Sequence, residues 1–190
     1  MLRSILLSII IFASVQAQAF FSYDLKTNVE LFEQHAQAQA IGTLELPWVV
    51  GEKANYSLNM AIFTGTMVVE VVSDEGNAFW VHQDTELVGN KSKAEMLIDK
   101  ETGELLEVRV NGQKQDLPEN NESEILEQKE ESITVPAGTY DCIYVKIRSE
   151  GRDSEMWVNP FDVPVFGMLK QVSPTQFGPM TLELTEFTDL

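Results

Sequence analysis

Apolar and polar residues alternate along most of the chain beyond Gly51, which is the pattern of strands that bury one face. Turn residues separate these runs, as at Asp74-Glu75-Gly76-Asn77 and Asn111-Gly112, and Gly65 stands between the first two runs. Strands do not alternate with helical segments, so a parallel sheet is not expected. The predicted strands are 56–63, 66–73, 78–87, 93–99, 105–110, 133–135, 140–148, 156–158, 168–172 and 181–187.

One amphipathic helix is predicted before the strands. Thr27 and Glu30 have the spacing of a capping box, and apolar residues such as Phe32 and Ala36 then recur at roughly helical spacing up to Gly42. The predicted fold is therefore mainly β. It consists of one curved antiparallel sheet or incomplete β-barrel, with one N-terminal amphipathic helix packed on it.

Two segments of the second half have unusual polarity. The stretch 113–131 is the most polar of the chain and is predicted to be an exposed loop. The run 140–148 is apolar on both alternating faces, with Ile143, Val145 and Ile147 on one of them. We therefore expect this strand to be covered on both sides.

The N-terminus predicts export. Arg3 precedes an apolar run over 5–13, and small residues at Ala17 and Ala19 provide two cleavage positions for a secretory peptidase. We expect residues 1–19 to be a removed signal peptide and residues 20–190 to form a single β-rich domain. No cysteine stands directly after the apolar run, so lipid anchoring is not expected. The expected location is the periplasm, without stable membrane insertion after cleavage.

The charge of the chain excludes some partners. Its formal net charge is −17, and the predicted signal peptide removes one arginine and no acid, which makes the remainder one unit more negative. Phosphate backbones are bound by clusters of lysine and arginine, so nucleic acid is not an expected partner. Anionic lipid headgroups are repelled for the same reason.

No catalytic constellation is visible in the sequence. A Gly-x-Ser-x-Gly motif is absent, and His35 and His82 have no spacing that would bind a metal. Cys142 is the only cysteine, and we interpret it as a small buried apolar residue rather than a nucleophile. The Asp-x-Glu-x-Gly run at 99–103 is better explained as a hairpin loop than as a calcium loop. We expect no enzyme activity, no cofactor and no metal.

Two segments resemble a family of secreted bacterial proteins of unassigned function. The first is Val50-Gly51-Glu52-Lys53-Ala54-Asn55-Tyr56 with its continuation to Thr66. The second begins with Thr134-Val135-Pro136-Ala137-Gly138-Thr139-Tyr140 and continues with Met156-Trp157-Val158-Asn159-Pro160 and Val163-Pro164-Val165-Phe166-Gly167-Met168. The second segment also looks like periplasmic proteins related to LolA and LolB, the lipoprotein carriers. This resemblance implies a half-open barrel whose concave face receives acyl chains.

Flexible and aromatic side chains suggest where an apolar ligand would bind. Methionine adapts to irregular apolar shapes, so it suits an acyl-chain pocket, although it suits an ordinary core equally well. The leading hypothesis is a non-enzymatic carrier of a lipid or lipoprotein acyl chain. The alternatives are an interaction or scaffold module for an envelope protein, with a packed interior, and a hydrolase that uses acidic residues. The predicted ligand-binding residues are Met60, Met67, Trp80, Met96, Cys142, Tyr144 and Trp157.

Overall fold

The chain forms one antiparallel sheet of eleven strands. The computed structural model describes residues 46–61, 63–117, 123–149, 151–175 and 178–190. Neighbouring strands are all antiparallel, and the sheet has the order β6-β5-β4-β3-β2-β1-β11-β10-β9-β8-β7. The strands are β1 (Lys53–Met60), β2 (Phe63–Asp74), β3 (Ala78–Leu87), β4 (Asn90–Asp99), β5 (Leu105–Val110), β6 (Gln113–Gln115), β7 (Ser123–Val135), β8 (Gly138–Ser149), β9 (Arg152–Val158), β10 (Met168–Thr175) and β11 (Gly178–Thr188).

The mainly β prediction is confirmed. In the described part of the chain the sheet is not closed into a barrel, because β6 and β7 remain as its two edges. The predicted signal peptide and N-terminal helix lie outside the described residues. No helix in the described ranges has the length and apolar character needed to cross a bilayer.

The strand register divides the side chains between two faces. Residues paired across antiparallel strands share a face, so Tyr56 lies beside Met67 of β2 and Leu184 of β11. We call this side the Tyr56 face. On the opposite side Trp157 of β9 lies between Tyr144 of β8 and Lys170 of β10. We call that side the Trp157 face.

The main hydrophobic core covers the Tyr56 face of β1 to β5 and β11. The loop between β9 and β10 adds Phe166, whose ring meets Trp48 edge-on with centroids 5.4 Å apart. Asn159 stabilises the start of this loop, since its Oδ1 accepts hydrogen bonds from the backbone N–H of Phe161 and Asp162 at 3.0 Å each. The core residues on the strands include Tyr56, Leu58, Met60, Met67, Val69, Val71, Phe79, Val81, Met96, Ile98, Val108, Leu182 and Leu184.

A second, smaller cluster lies on β8 and β9. It consists of Ile143, Val145, Ile147, Met156 and Val158. The alternate residues of β8, Cys142 and Tyr144, are also buried. The prediction that this strand is covered on both sides is therefore confirmed.

The first hairpin differs from its prediction. β1 ends at Met60, and Ala61 has a φ of 52°, so the chain turns at Ala61 rather than at Gly65. Gly65 lies inside β2, where a Cβ atom would come within 2.2 Å of the backbone oxygen of Glu86. The glycine is needed for close approach of β2 and β3 and not for a turn.

The polar stretch 113–131 was wrongly predicted to be a loop. It contains β6 and most of β7. Strand β7 pairs with β8 along its length, but its side chains from 127 to 130 are all exposed, so this part of the strand shows no alternation of burial. Hydrogen bonds to β8, rather than burial, hold this segment in strand conformation.

Candidate functional site

Three of the predicted ligand-binding residues lie in the core of the Tyr56 face. Met67 is adjacent to Tyr56 and Thr85, Met96 lies between Val81 and Val108, and Met60 ends β1. The exposed fractions of Met60, Met67 and Met96 are 9%, 2% and 2%. These unbranched side chains therefore contribute flexible apolar volume to the interior.

On the same face, the Tyr56 hydroxyl and Gln83 Oε1 are buried and have no hydrogen-bond partner among the described residues. Tyr56 is 2% exposed and Gln83 is 5% exposed, and neither the Tyr56 hydroxyl nor the Gln83 Oε1 has a partner in the described part of the chain. The amide Nε2 of Gln83 donates to Thr85 Oγ1 at 3.1 Å, so only the oxygen of that amide is unsatisfied. Burial raises the pKa of Tyr56, which keeps the hydroxyl protonated and able to donate.

These two atoms, on β1 and β3, are unusual for a protein interior. Leaving a buried polar group unpaired costs roughly 1–3 kcal/mol, so native proteins do so rarely. The Tyr56 hydroxyl can donate to a ligand atom, and the Gln83 oxygen can accept from one. The sequence gives no signal for this pair, because Tyr56 and Gln83 occupy ordinary inward positions of alternating strands.

A ladder of aromatic and cationic side chains crosses the Trp157 face. The rings of Tyr144 and Trp157 are 5.1 Å apart, the Nζ of Lys129 lies 4.6 Å from the Tyr144 ring, and the Nζ of Lys170 lies 5.8 Å from the Trp157 ring. The indole Nε1 of Trp157 donates to Glu131 Oε1 at 2.6 Å. Each ring therefore has a cation close to it, and the indole N–H is satisfied. Lys129 and Glu131 were missed because their segment was predicted to be a loop.

Cys142 lies on the same face as Tyr144 and is buried. Its Sγ donates to the backbone oxygen of Glu131 at 3.2 Å. Burial, together with the charges of Glu131 and Asp141, raises the pKa of the Cys142 thiol to about 11. At neutral pH the sulfur is therefore a protonated thiol and a poor nucleophile.

Trp80 lies apart from both groups. It is on the Trp157 face of β3, where the guanidinium of Arg109 stacks 4.6 Å from its ring. Its neighbour His82 has Nε2 3.4 Å from Glu95 Oε1, and burial lowers the pKa of His82. The imidazole is therefore mostly neutral at neutral pH.

The seven predicted residues thus fall on two faces of the sheet, although Met60, Met67, Met96 and Cys142 are buried in the main hydrophobic cluster and Trp157 packs against it. Met60, Met67 and Met96 share the Tyr56 face; Cys142, Tyr144 and Trp157 share the other face; and Trp80 lies at a distant part of that second face. A groove of about 320 Å³ lies between Thr66, Asp84 and Lys93, and none of the seven residues lines it.

Groups suited to metal binding or catalysis are scarce. Within the described residues no cluster of three or more histidine, cysteine or acidic side chains could hold a metal ion. Several acidic groups form ordinary ion pairs, as between Arg148 Nε and Asp153 Oδ1 at 2.7 Å.

The solved structures that are similar to this chain include two structures of MucB. No protein-family model matches the chain, and no curated protein matches its sequence. The crystal structure of MucB aligns with 82% of this chain and 58% of MucB, with a TM-score of 0.41 and 10% identity. The crystal structure of MucB in complex with MucA(peri) aligns with 73% of this chain and 50% of that chain, with a TM-score of 0.40 and 11% identity. The chain spans between half and three-fifths of these structures, and its expected relationship to LolA and LolB stays a prediction.

Proposed function

We propose that the protein is a non-enzymatic binding protein of the bacterial cell envelope, which holds a lipid or acyl chain against the Tyr56 face. The observation that carries this proposal is the pair of buried, unpartnered polar atoms, the Tyr56 hydroxyl and Gln83 Oε1, among adaptable methionines. A ligand with an apolar body and a small hydroxyl, amide or carboxylic acid group matches that lining. The polar group of the ligand would form hydrogen bonds with these atoms and so remove the cost of burying them unpaired. The methionines would adjust to the apolar chain of the ligand.

The location follows from the N-terminal sequence. We propose that residues 1–19 are removed on export and that residues 20–190 act in the periplasm as one domain. The motif order of Arg3, an apolar run and small residues at Ala17 and Ala19 supports this. Mass spectrometry of the exported protein should give a new N-terminus at Gln18 or Phe20. Recovery of intact Met1 in a membrane fraction would contradict it.

The ligand proposal is tested by titrating a fluorescent fatty acid into three variants. Met67→Ala and Met96→Ala change the main cluster of the Tyr56 face, whereas Met156→Ala changes a fully buried methionine of the separate β8–β9 cluster on the same face. We expect the first two variants to weaken binding several-fold with a small loss of stability. The control should lose about 2–5 kcal/mol of unfolding free energy and keep its affinity.

A second candidate function is an envelope interaction module with a filled interior. The low exposure of Met67 and Met96, 2% each, favours it. In that case Met67→Ala and Met96→Ala each lower the unfolding free energy by about 2–5 kcal/mol, as expected for core residues, and no fatty acid binds to any form of the protein.

A hydrolase is the least supported possibility. In the described ranges, His82 is mostly neutral beside Glu95 and Cys142 is a protonated thiol, so neither joins a nucleophile to a base. This environment agrees with a binding function, in which no covalent chemistry is required.

A further inference from the structure

Among the described strands, β7 is a long edge of the sheet, and its outer backbone groups have no strand partner there. It has 13 residues, whereas β6 at the other edge has three. In the described part of the chain β7 pairs with β8 alone. Every second residue of an antiparallel edge strand directs its N–H and C=O away from the neighbouring strand. A row of donors and acceptors is therefore open to another chain.

The protection of this edge strand consists mainly of its charge. Proteins shield such edges with short strands, proline, bulges or charged side chains, and a charged edge disfavours strands of like charge but not strands of opposite charge. β7 contains no proline, one irregularity between Ile125 and Glu127, and a single lysine, Lys129. That lysine is engaged within the sheet, with Nζ 3.1 Å from Glu127 Oε1 and 4.6 Å from the Tyr144 ring.

The charge of β7 favours one kind of partner. The strand carries four glutamates, at 124, 127, 130 and 131, against Lys129. Glu124 and Glu130 are exposed, and neither forms an ion pair shorter than 4.0 Å within the described residues. Two copies of β7 placed side by side would bring acidic strands together, which disfavours self-pairing. A basic strand is complementary in both charge and hydrogen bonding.

We propose that β7 is a docking strand for an extended, basic segment of another protein, which adds to the sheet beside it. Main-chain hydrogen bonds supply the affinity, as in other cases of strand addition, and the glutamates select lysine or arginine at alternate positions. The adjacent Tyr144 and Trp157 rings contact Lys129 and Glu131, which connects the edge strand to the side chains of β8 and β9. This surface is independent of the proposed ligand on the Tyr56 face.

The test uses synthetic peptides and the full chain purified from exporting cells. The probe is a peptide of about eight residues, a common strand length, that alternates lysine and valine. One control peptide has glutamate in place of lysine. A second keeps every lysine but carries N-methyl groups on alternate backbone amides, which blocks hydrogen bonding along one edge. Binding is measured by calorimetry, and the site is located by hydrogen exchange of the β7 amides.

The proposal predicts that only the unmodified lysine peptide binds and slows exchange in β7. Glu130→Lys should weaken this binding by about five- to tenfold, because an attraction becomes a repulsion at the edge. Glu104→Lys, the same charge change at an exposed position between β4 and β5, should leave it within about twofold. Equal binding of the N-methylated peptide would overturn the proposal, since it would show charge attraction without strand addition. Equal effects of the two substitutions, or no binding at all, would overturn it as well. None of these outcomes bears on fatty-acid binding.

Discussion

Replacing Tyr56 by phenylalanine removes one buried oxygen and leaves the ring in place. Tyr56 is 2% exposed, and its hydroxyl has no hydrogen-bond partner among the described residues. In the unfolded chain the same hydroxyl is bonded to water. Folding therefore breaks this hydrogen bond to water without replacing it, which lowers the unfolding free energy of the protein.

The expected effect is a gain in stability. An unsatisfied buried group costs roughly 1–3 kcal/mol, while the lost oxygen leaves little empty volume. We expect Tyr56→Phe to raise the unfolding free energy of the ligand-free protein by about 1–2 kcal/mol. Tyr140 supplies a matched control, since its hydroxyl donates to the Ala137 backbone oxygen at 3.2 Å. Tyr140→Phe should lower the unfolding free energy by about 0.5–1.5 kcal/mol.

Urea denaturation of the delipidated protein measures both variants, with equal m-values as the condition for comparison. A loss of more than about 1 kcal/mol in Tyr56→Phe would refute the reasoning, because it would mean that the hydroxyl is hydrogen-bonded in the folded protein. The ligand proposal adds a second expectation. Tyr56→Phe should bind a fatty alcohol less tightly than the parent protein does and should bind a plain alkyl probe equally well.

Three further predictions concern packing, pH and the thiol. Gly65→Ala should lower the unfolding free energy, measured by thermal or urea unfolding, by about 1–3 kcal/mol, because the new Cβ would meet the Glu86 backbone oxygen. A variant as stable as the wild type would refute the close approach of β2 and β3. Burial raises the pKa of Glu52, with the Asp189 carboxyl adding to it, so the folded state keeps this proton to higher pH than the unfolded chain. The stability that protonated Glu52 contributes is therefore lost as pH rises above the ordinary glutamate range. Glu52→Gln should remove that part of the pH dependence of the unfolding free energy. An unchanged pH dependence would contradict this. Cys142, with its pKa of about 11, should react with a thiol reagent at pH 8 only as fast as the protein opens.

Local patterns in the sequence were sufficient for the class of fold. The alternation in β1 predicts which side of the strand is buried, and Asn111-Gly112 predicts a hairpin that the structure forms with φ values of 50° and 78°. Both features depend on neighbouring residues alone. The burial of both sides of β8 was also readable, because each set of alternate residues contains apolar side chains.

The pairing of distant strands was not readable from local patterns. Residues 127–132 of β7 are polar on both faces, and they are in strand conformation because β8 provides their hydrogen-bonding partner. Gly65 resembles a turn residue until the Glu86 backbone is placed against it. The separation of Met67 from Trp157 onto opposite faces follows from a register that passes through β1, β11 and β10. Each strand had predictable faces, but the relation between the faces of distant strands depends on the assembled sheet.

The central claim is that the Tyr56 face holds an apolar ligand, and native mass spectrometry of the exported protein tests it most directly. The protein is purified from the periplasm without detergent and sprayed under conditions that preserve noncovalent complexes. We predict a bound species heavier by the mass of a lipid or fatty acid, which is lost on delipidation and reduced in Met67→Ala but retained in Met156→Ala. A single species at the mass of the bare chain, unchanged after incubation with excess fatty acid, would contradict the claim.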